Sequence, residues 1–277
     1  MVGMDMPRIT DRTALVRNRA RAEPDALFLQ EHAADELQER LIEVNRTFTS
    51  VAIVTGFPDF WAGRYPDAKI IADEETLDLA PQSHDLIVHA MCLHSANDPV
   101  GQLVQTRHAL KPDGLLLCTL LGGQTLHELR ASLAEAETVV AGGLSPRIAP
   151  MGEIRDLGGL LQRAGFALPV ADSTPLTASY ANAFHLMQDL RKMGENNALA
   201  QRIKHATRRN VLTEAAAIYA ENFRDAEDRI AATFEFITLT GWAPADSQPQ
   251  PLRPGTATTR LADALGTTET QLNGSKD

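Results

Sequence analysis

The sequence has little of what marks disulfide-rich, membrane-spanning or nucleic-acid-binding proteins. Only two cysteines occur in 277 residues, which excludes a disulfide framework, and no Cys/His set has the spacing of a structural zinc site. The longest apolar run, Leu115–Leu121, is far shorter than the roughly 20 residues that span a bilayer. A net charge of −10 argues against binding to nucleic acid, which needs a basic surface. We therefore expect a globular protein without a metal site, a membrane span or a nucleic-acid partner.

The two cysteines also bear on the compartment. Cys92 and Cys118 lie in or beside segments predicted to be buried strands, so they are read as buried free thiols in a reducing compartment. The arginine-rich N-terminus lacks the apolar segment of a secretory signal, and its acidic Asp5 and Asp11 count against an organelle presequence. These observations predict a cytoplasmic location.

Apolar strand patterns alternate with helical patterns over the first 165 residues. The predicted strands are Val51–Thr55, Ala68–Ala72, Asp85–Ala90 and Leu115–Leu121, and the predicted helices cover residues 25–44, 100–110, 125–140 and 154–164. Two of the strands are almost entirely apolar, as in parallel sheets that helices cover on both faces. The pattern predicts an α/β fold with a doubly wound, mostly parallel sheet.

The last third of the chain differs from the rest. Residues 181–193 and 198–223 have a helical pattern, and residues 232–240 alternate like a strand. We interpret residues 180–225 as a helical insertion that covers the carboxyl ends of the strands, where ligands bind in such sheets. The predicted organisation is an arginine-rich lead (1–24), one domain (25–265) and a disordered tail (266–277).

Several motifs together resemble a known family. They are ADEETL at 72–77, HDLIVHAMCLH at 84–94, LKPDG at 110–114, GGQTLHELR at 122–130, MGENN at 193–197 and TGW at 240–242. The set resembles the class I S-adenosylmethionine (SAM) methyltransferases. Within them it resembles the branch of the mitochondrial complex I assembly factor with a methyltransferase fold and its alphaproteobacterial relatives. This branch is akin to the malonyl-carrier-protein methyltransferases of biotin synthesis.

The resemblance implies a Rossmann-like class I methyltransferase fold with a C-terminal helical insertion. By class it implies a SAM-dependent methyltransferase-like protein with SAM as the cofactor. By branch it implies a factor for assembly of respiratory complex I that hydroxylates an arginine of an iron–sulfur subunit, which would then be the protein partner. A descendant that only binds a partner, without catalysis, is the third alternative.

The resemblance also marks cofactor-binding positions. They are Gly56, Asp59, Asp73, Glu74 and His89. The family's glycine-rich loop lets the backbone approach the cofactor, since glycine has no Cβ. Here one glycine remains, and the segment from Gly56 to Asp73 scarcely holds another helix and strand.

Aromatic residues replace the missing glycines of this loop. In one interpretation Phe60 or Trp61 stacks on a ligand and Asp59 takes over part of the work of the acid that the family has before the loop. In the other, Phe57, Phe60 and Trp61 fill the cofactor cavity and exclude SAM. Asp73 and Glu74 correspond to the family's adenine-binding position, or they belong to a solvated acidic turn.

His94 and His89 are the candidate catalytic residues. Both lie at or near the carboxyl end of a predicted strand, and His94 matches the histidine of the family's LHW element. Each is read either as a base or substrate-orienting group, or as a packing residue. Asp98, before Pro99, is the expected N-cap of the next helix. The loop Glu195–Asn197 is expected either to contact a partner or to lie on the surface.

Overall fold

A six-stranded sheet lies at the centre of the molecule. The structure is a computed structural model that describes residues 8–249 and 266–267. The strands are β1 (Val51–Thr55), β2 (Lys69–Ala72), β3 (His84–Ala90), β4 (Leu110–Leu121), β5 (Ala167–Tyr180) and β6 (Ile230–Trp242). Their order is β2-β1-β3-β4-β6-β5; the first four are parallel, and β6 is antiparallel to both of its neighbours. The predicted doubly wound, mostly parallel α/β sheet is confirmed.

Helices cover both faces of this sheet. They are α1 (Arg12–Arg19), α2 (Phe28–Val44), α3 (Pro58–Arg64), α4 (Pro99–Ala109), α5 (His127–Ala141), α6 (Ile154–Arg163), α7 (Ala183–Lys192) and α8 (Arg209–Asn222). Apolar side chains of the central strands therefore enter two separate cores. Ile53 and Leu117 pack in one, and Ile87 and Leu116 pack in the other. This two-sided burial explains why β1, β3 and β4 read as nearly continuous apolar runs.

Local signals place the ends of helix α4 correctly. The Asp98 carboxylate accepts a hydrogen bond from the backbone N–H of Gly101 at 2.8 Å, which confirms Asp98 as the N-cap. The helix ends at Ala109, before the Lys-Pro-Asp-Gly segment, because proline cannot continue a helix. Residues 111–114 are part of the long strand β4 rather than a separate turn.

Three parts of the chain differ from the sequence-based expectation. Strand β5 was not expected, since it is an edge strand whose polar and apolar residues are largely half-buried or exposed. Residues 199–208 are irregular rather than helical, and Arg202 there pairs with Asp11. The arginine-rich lead contains helix α1, which Asp11 caps by accepting from the N–H of Ala14.

The chain divides into two compact units, Met1–Ala245 and Asp246–Asp277. The sheet and all the helices above belong to the first unit, and the described residues of the second include a turn at Asp246 and Ser247. Most of the predicted disordered tail (266–277) lies outside the described residues. None of the helices within residues 8–249 is both long and apolar enough to cross a membrane.

Candidate functional site

The parallel strands bring the predicted cofactor-binding residues to one edge of the sheet. Thr55 at the end of β1 is level with Ala72 at the end of β2, so Gly56 and Asp73 follow at the same edge. Four of the five predicted residues line one cavity of about 860 Å³, which we call the cleft: Gly56, Asp59, Asp73 and Glu74. The fifth, His89, does not line it. The prediction that these positions form one site therefore has a geometric basis at four of them.

The carboxylate of Asp73 is fully engaged by two arginines of helix α1. Arg19 Nη1 donates to Asp73 Oδ2 at 2.6 Å, and Arg12 donates to both oxygens, at 3.2 Å from Nη1 and 3.1 Å from Nη2. Asp73 is 6% exposed and Arg19 7%. Burial alone would raise the pKa of Asp73, but the charges of Arg19 and Arg12 outweigh it and hold the pKa below its ordinary value. Asp73 is thus an ionised partner in a buried ion pair.

The guanidinium of Arg19 lies directly over the loop that should hold the cofactor. It packs on the ring of Phe57, with Cζ 5.5 Å from the ring centroid. A Cβ placed on Gly56 would lie only 2.1 Å from Arg19 Nη1, so the space that glycine leaves open is already filled by this side chain. The cleft in this arrangement does not fit SAM, because the Arg19 side chain occupies the space at Gly56 and pairs with Asp73.

The aromatic residues of the loop do not fill the cleft. Phe57 and Phe60 line it, but the cavity remains beside them. Trp61 is fully buried in the core, where its Nε1–H donates to Gln30 Oε1 of helix α2 at 3.0 Å. Its ring stacks on Tyr65, with 6.0 Å between centroids. Trp61 therefore holds α3 against α2 and is not placed to stack on a ligand.

We expect replacement of Trp61 with phenylalanine to lower stability and leave ligand binding unaffected. The change leaves the buried Gln30 oxygen without its donor, which costs about 1–3 kcal/mol, in addition to lost packing. Urea unfolding measures the loss. The double variant Trp61→Phe with Gln30→Leu should recover part of the lost free energy of unfolding. If Trp61→Phe alone were as stable as the unaltered protein, the buried hydrogen bond would be contradicted.

A second cavity lies at the carboxyl ends of β3 and β4, under the helical insertion. Its volume is about 350 Å³, and its walls are mostly aliphatic, with Leu121 of β4 facing Met187 and Leu190 of α7. Glu195 lines it, and its carboxylate has no hydrogen-bond partner among the described residues. Burial raises the pKa of Glu195, although the positive charge of Arg19 opposes this. Helix α7 of the predicted insertion lines this cavity together with the end of β4.

His94 lines this second cavity as a neutral imidazole. Its Nδ1 accepts the backbone N–H of Leu121 at 3.4 Å, which assigns the proton to Nε2, and Nε2 has no partner among the described residues. Burial lowers the pKa of His94 to about 3. The side chain is therefore a hydrogen-bond donor at neutral pH rather than a cation.

His89, the other candidate, lies inside the sheet. It is fully buried, with Nε2 3.0 Å from Gln102 Oε1 and Nδ1 3.3 Å from Cys92 Sγ. Burial lowers the pKa of His89 to about 4 and raises that of the Cys92 thiol. His89 lines neither of the two cavities. The structure thus places the two candidate histidines in different surroundings, His94 beside the second cavity and His89 within the sheet.

Sequence reasoning missed the two arginines of α1 that pair with Asp73 in the cleft. Arg12 and Arg19 are seven residues apart, two helical turns, so they lie on one face of α1; that spacing was the available signal. Glu195 was expected either to contact a partner or to lie on the surface, and in the structure it lines the second cavity. The neighbouring Asn196 carbonyl accepts from Asn18 of α1 at 3.3 Å. Across the described ranges, no group of three or more His, Cys, Asp or Glu side chains could hold a metal ion.

Similar proteins agree with this architecture. No protein-family model matches the chain. Arginine-hydroxylase NDUFAF5, mitochondrial, of Rattus norvegicus is 39% identical over 211 residues, 76% of this chain and 61% of the relative, so the chain spans about three fifths of that relative. The protein of the same name from Danio rerio is 35% identical over 259 residues, 92% of this chain and 79% of the relative. A malonyl-acyl-carrier-protein O-methyltransferase of Xylella fastidiosa (strain M23) is 37% identical over 179 residues, 65% of this chain and 58% of the relative. With the identity to the Danio rerio protein over most of the length of both proteins, the chain belongs to the NDUFAF5 family.

Proposed function

We propose that this chain binds an arginine side chain of a protein partner in the second cavity, in the role of an assembly factor that modifies that arginine. The observation that carries the proposal is the half-buried Glu195 side chain, which lines a mainly apolar cavity and has no side-chain hydrogen bond to any described residue. Arg147 also lines this cavity, but it is paired with Glu137. The resemblance drawn from the sequence motifs implies an iron–sulfur subunit of respiratory complex I as the partner, and we retain it here.

The chemistry of the cavity suits a guanidinium better than other side-chain ends. A carboxylate pairs with arginine through two parallel N–H···O bonds, a geometry that lysine lacks. The aliphatic walls suit the methylene stem of an arginine. A volume of about 350 Å³ lies within the range of ligand cavities. The name arginine-hydroxylase, carried by the relatives, points to the same side chain.

His94 is the second polar group of the proposed site. The residue lines the cavity that holds Glu195, and its Nε2–H is buried with no acceptor among the described residues. Once the ring turns toward the cavity, this donor suits a carbonyl oxygen of the bound segment, since Glu195 pairs with the cationic end. We assign His94 to orienting the partner rather than to proton abstraction, because burial keeps its pKa near 3 and makes it a very weak base at neutral pH.

Glu195→Gln is expected to weaken binding of an arginine peptide about 10- to 100-fold, because hydrogen bonds to charged groups contribute about 1.5–3 kcal/mol. The measurement is a titration with a peptide from the proposed iron–sulfur subunit, followed by calorimetry. Glu221→Gln, an exposed acid on α8, is the matched control and should leave the affinity unchanged. Equal binding of the same peptide with its arginine replaced by glutamine would contradict the proposal.

Mass spectrometry of the peptide separates the chemical alternatives. An added oxygen atom after incubation with dioxygen and a reductant indicates a hydroxylase. An added methyl group after incubation with SAM indicates a methyltransferase. A bound but unchanged peptide indicates the non-catalytic alternative.

The relatives carry "mitochondrial" in their names, while a cytoplasmic location stays a prediction for this chain.

A further inference from the structure

Helix α1 occupies the anchoring points of the cleft with its own side chains. In the methyltransferase pattern the loop glycine and the neighbouring acid are free to contact the cofactor. Here Arg19 sits against Gly56 and on Asp73, and Arg12 takes the remaining Asp73 oxygen and donates to the Asp73 carbonyl at 2.7 Å. The cavity of about 860 Å³ leaves room beside these contacts. The cleft therefore has space for a ligand, but its polar groups already bind the arginine side chains of α1.

The helical insertion holds α1 in this position. Asp11, at the start of the helix, pairs with Arg202 at 2.9 Å, and its backbone N–H donates to the Ala198 carbonyl at 2.8 Å. At the other end, Gly194 has a φ of +82°, and a Cβ there would lie 3.1 Å from Arg19 Cα. The MGENN segment, the motif most specific to this branch, therefore packs closely on the helix that carries the two arginines.

A third contact secures the chain just before α1. The Asn97 side-chain oxygen accepts from the backbone N–H groups of Ile9 at 3.0 Å and Thr10 at 2.9 Å, and its amide nitrogen donates to the Thr10 carbonyl at 3.2 Å. Asn97 belongs to the Asn-Asp pair that follows β3. Sequence motifs from two distant parts of the chain thus meet on the same N-terminal segment.

We infer that α1 is an internal latch that keeps SAM out of the cleft by placing the Arg19 guanidinium over Gly56 and pairing it with Asp73. SAM carries a positive sulfonium, which a neighbouring guanidinium disfavours, and S-adenosylhomocysteine lacks that charge but needs the same space. Either molecule binds only after the latch opens. The apparent affinity is then reduced by the fraction of molecules in the open state, about 100-fold if one molecule in a hundred is open.

The test compares binding of S-adenosylhomocysteine by the unaltered chain and by Arg19→Gln, using calorimetry with the full chain. We expect no measurable binding by the unaltered chain at micromolar ligand, and affinity at least about ten-fold higher in Arg19→Gln. Arg17→Ala, an exposed arginine of the same helix, is the matched control and should behave as the unaltered chain.

A second variant loosens the latch without leaving a buried charge. Asp11→Ala removes the cap of α1 and its pair with Arg202, both only partly buried, and should give a smaller gain in affinity for the same ligand. Micromolar binding by the unaltered chain would overturn the inference. The inference would also be overturned if Asp11→Ala showed no gain in affinity and a folded Arg19→Gln bound the ligand no better than the unaltered chain. If Arg19→Gln does not fold, the absence of a gain in Asp11→Ala overturns it alone.

The latch and the proposed function are tested with different ligands, although Arg19 and Glu195 attract each other electrostatically. Binding of an arginine peptide depends on Glu195 in the second cavity, whereas the latch concerns Arg19 and Asp73 in the cleft. Loss of peptide binding in Glu195→Gln with no change in S-adenosylhomocysteine binding would therefore leave the inference on the latch intact, and the reverse also holds.

Discussion

Replacing Asp73 with alanine will lower the free energy of unfolding by about 3–5 kcal/mol, the usual effect of removing one partner of a buried ion pair. The loss comes from Arg19, whose side chain is 5% exposed and whose Nε and Nη2 already lack partners among the described residues. Without Asp73 its charge stays buried and loses its hydrogen-bonded carboxylate, with the attraction of Glu195 as the remaining compensation. Urea unfolding of the two proteins measures the difference.

Two further variants isolate the charge effect. Asp78→Ala is the matched control, since Asp78 pairs with Lys69 at 3.0 Å but is 91% exposed, and such pairs contribute about 0–1 kcal/mol. Arg19→Met combined with Asp73→Ala should be more stable than Asp73→Ala alone, because the buried Arg19 charge is removed together with its partner. A cost in Asp73→Ala no larger than in Asp78→Ala would show that Arg19 is solvated in solution.

Acid will destabilise the protein through His94 and His89. Both have a pKa of 6.5 when unfolded, and burial lowers it to about 3 for His94 and about 4 for His89. The unfolded chain therefore binds more protons below pH 6.5, and stability falls as the pH falls. Each histidine contributes a slope of about 1.4 kcal/mol per pH unit. Together the two histidines contribute a slope of about 2.7 kcal/mol per pH unit between roughly pH 6 and pH 4.5.

Histidine variants separate this slope from that of the carboxylates. His94→Gln cannot titrate, so its stability profile should be flatter than that of the unaltered chain by one proton's slope over the same interval. Urea unfolding at several pH values gives both profiles. His108→Gln, an exposed histidine near the end of α4, is the control and should leave the slope unchanged. Parallel profiles for His94→Gln and the unaltered chain would mean that His94 is protonated in the folded state.

The fold was largely predictable because its central strands are buried on both faces. Strands β1, β3 and β4 have few polar interruptions, and periodicity alone locates them. The edge strand β5 has polar residues on much of its surface and Pro175 in its middle, so its pattern does not distinguish it from a loop. Its pairing with β6 along most of its length, a tertiary interaction, is what makes it a strand.

The site was predictable only where the topology itself fixes the neighbours. Gly56 and Asp73 follow adjacent parallel strands, so their proximity follows from the sheet order. The pair of Arg19 and Asp73 joins residues 54 positions apart, and nothing in the local pattern near either one signals the other. Trp61 was read as a cleft residue because it is one of the aromatic residues that replace the missing loop glycines, but in the short helix α3 its side chain contacts Gln30.

The short connection between β1 and β2 has a consequence for how this fold tolerates the insertion or deletion of whole segments. One seven-residue helix joins the two strands, and β2 pairs directly with β1 as the outermost strand of the sheet. An outer strand has a single neighbour, so a strand-and-helix module can be absent there without forcing any other pair to change partner or register. The margin of the sheet is thus the place where whole modules can be exchanged while the central strands keep their arrangement.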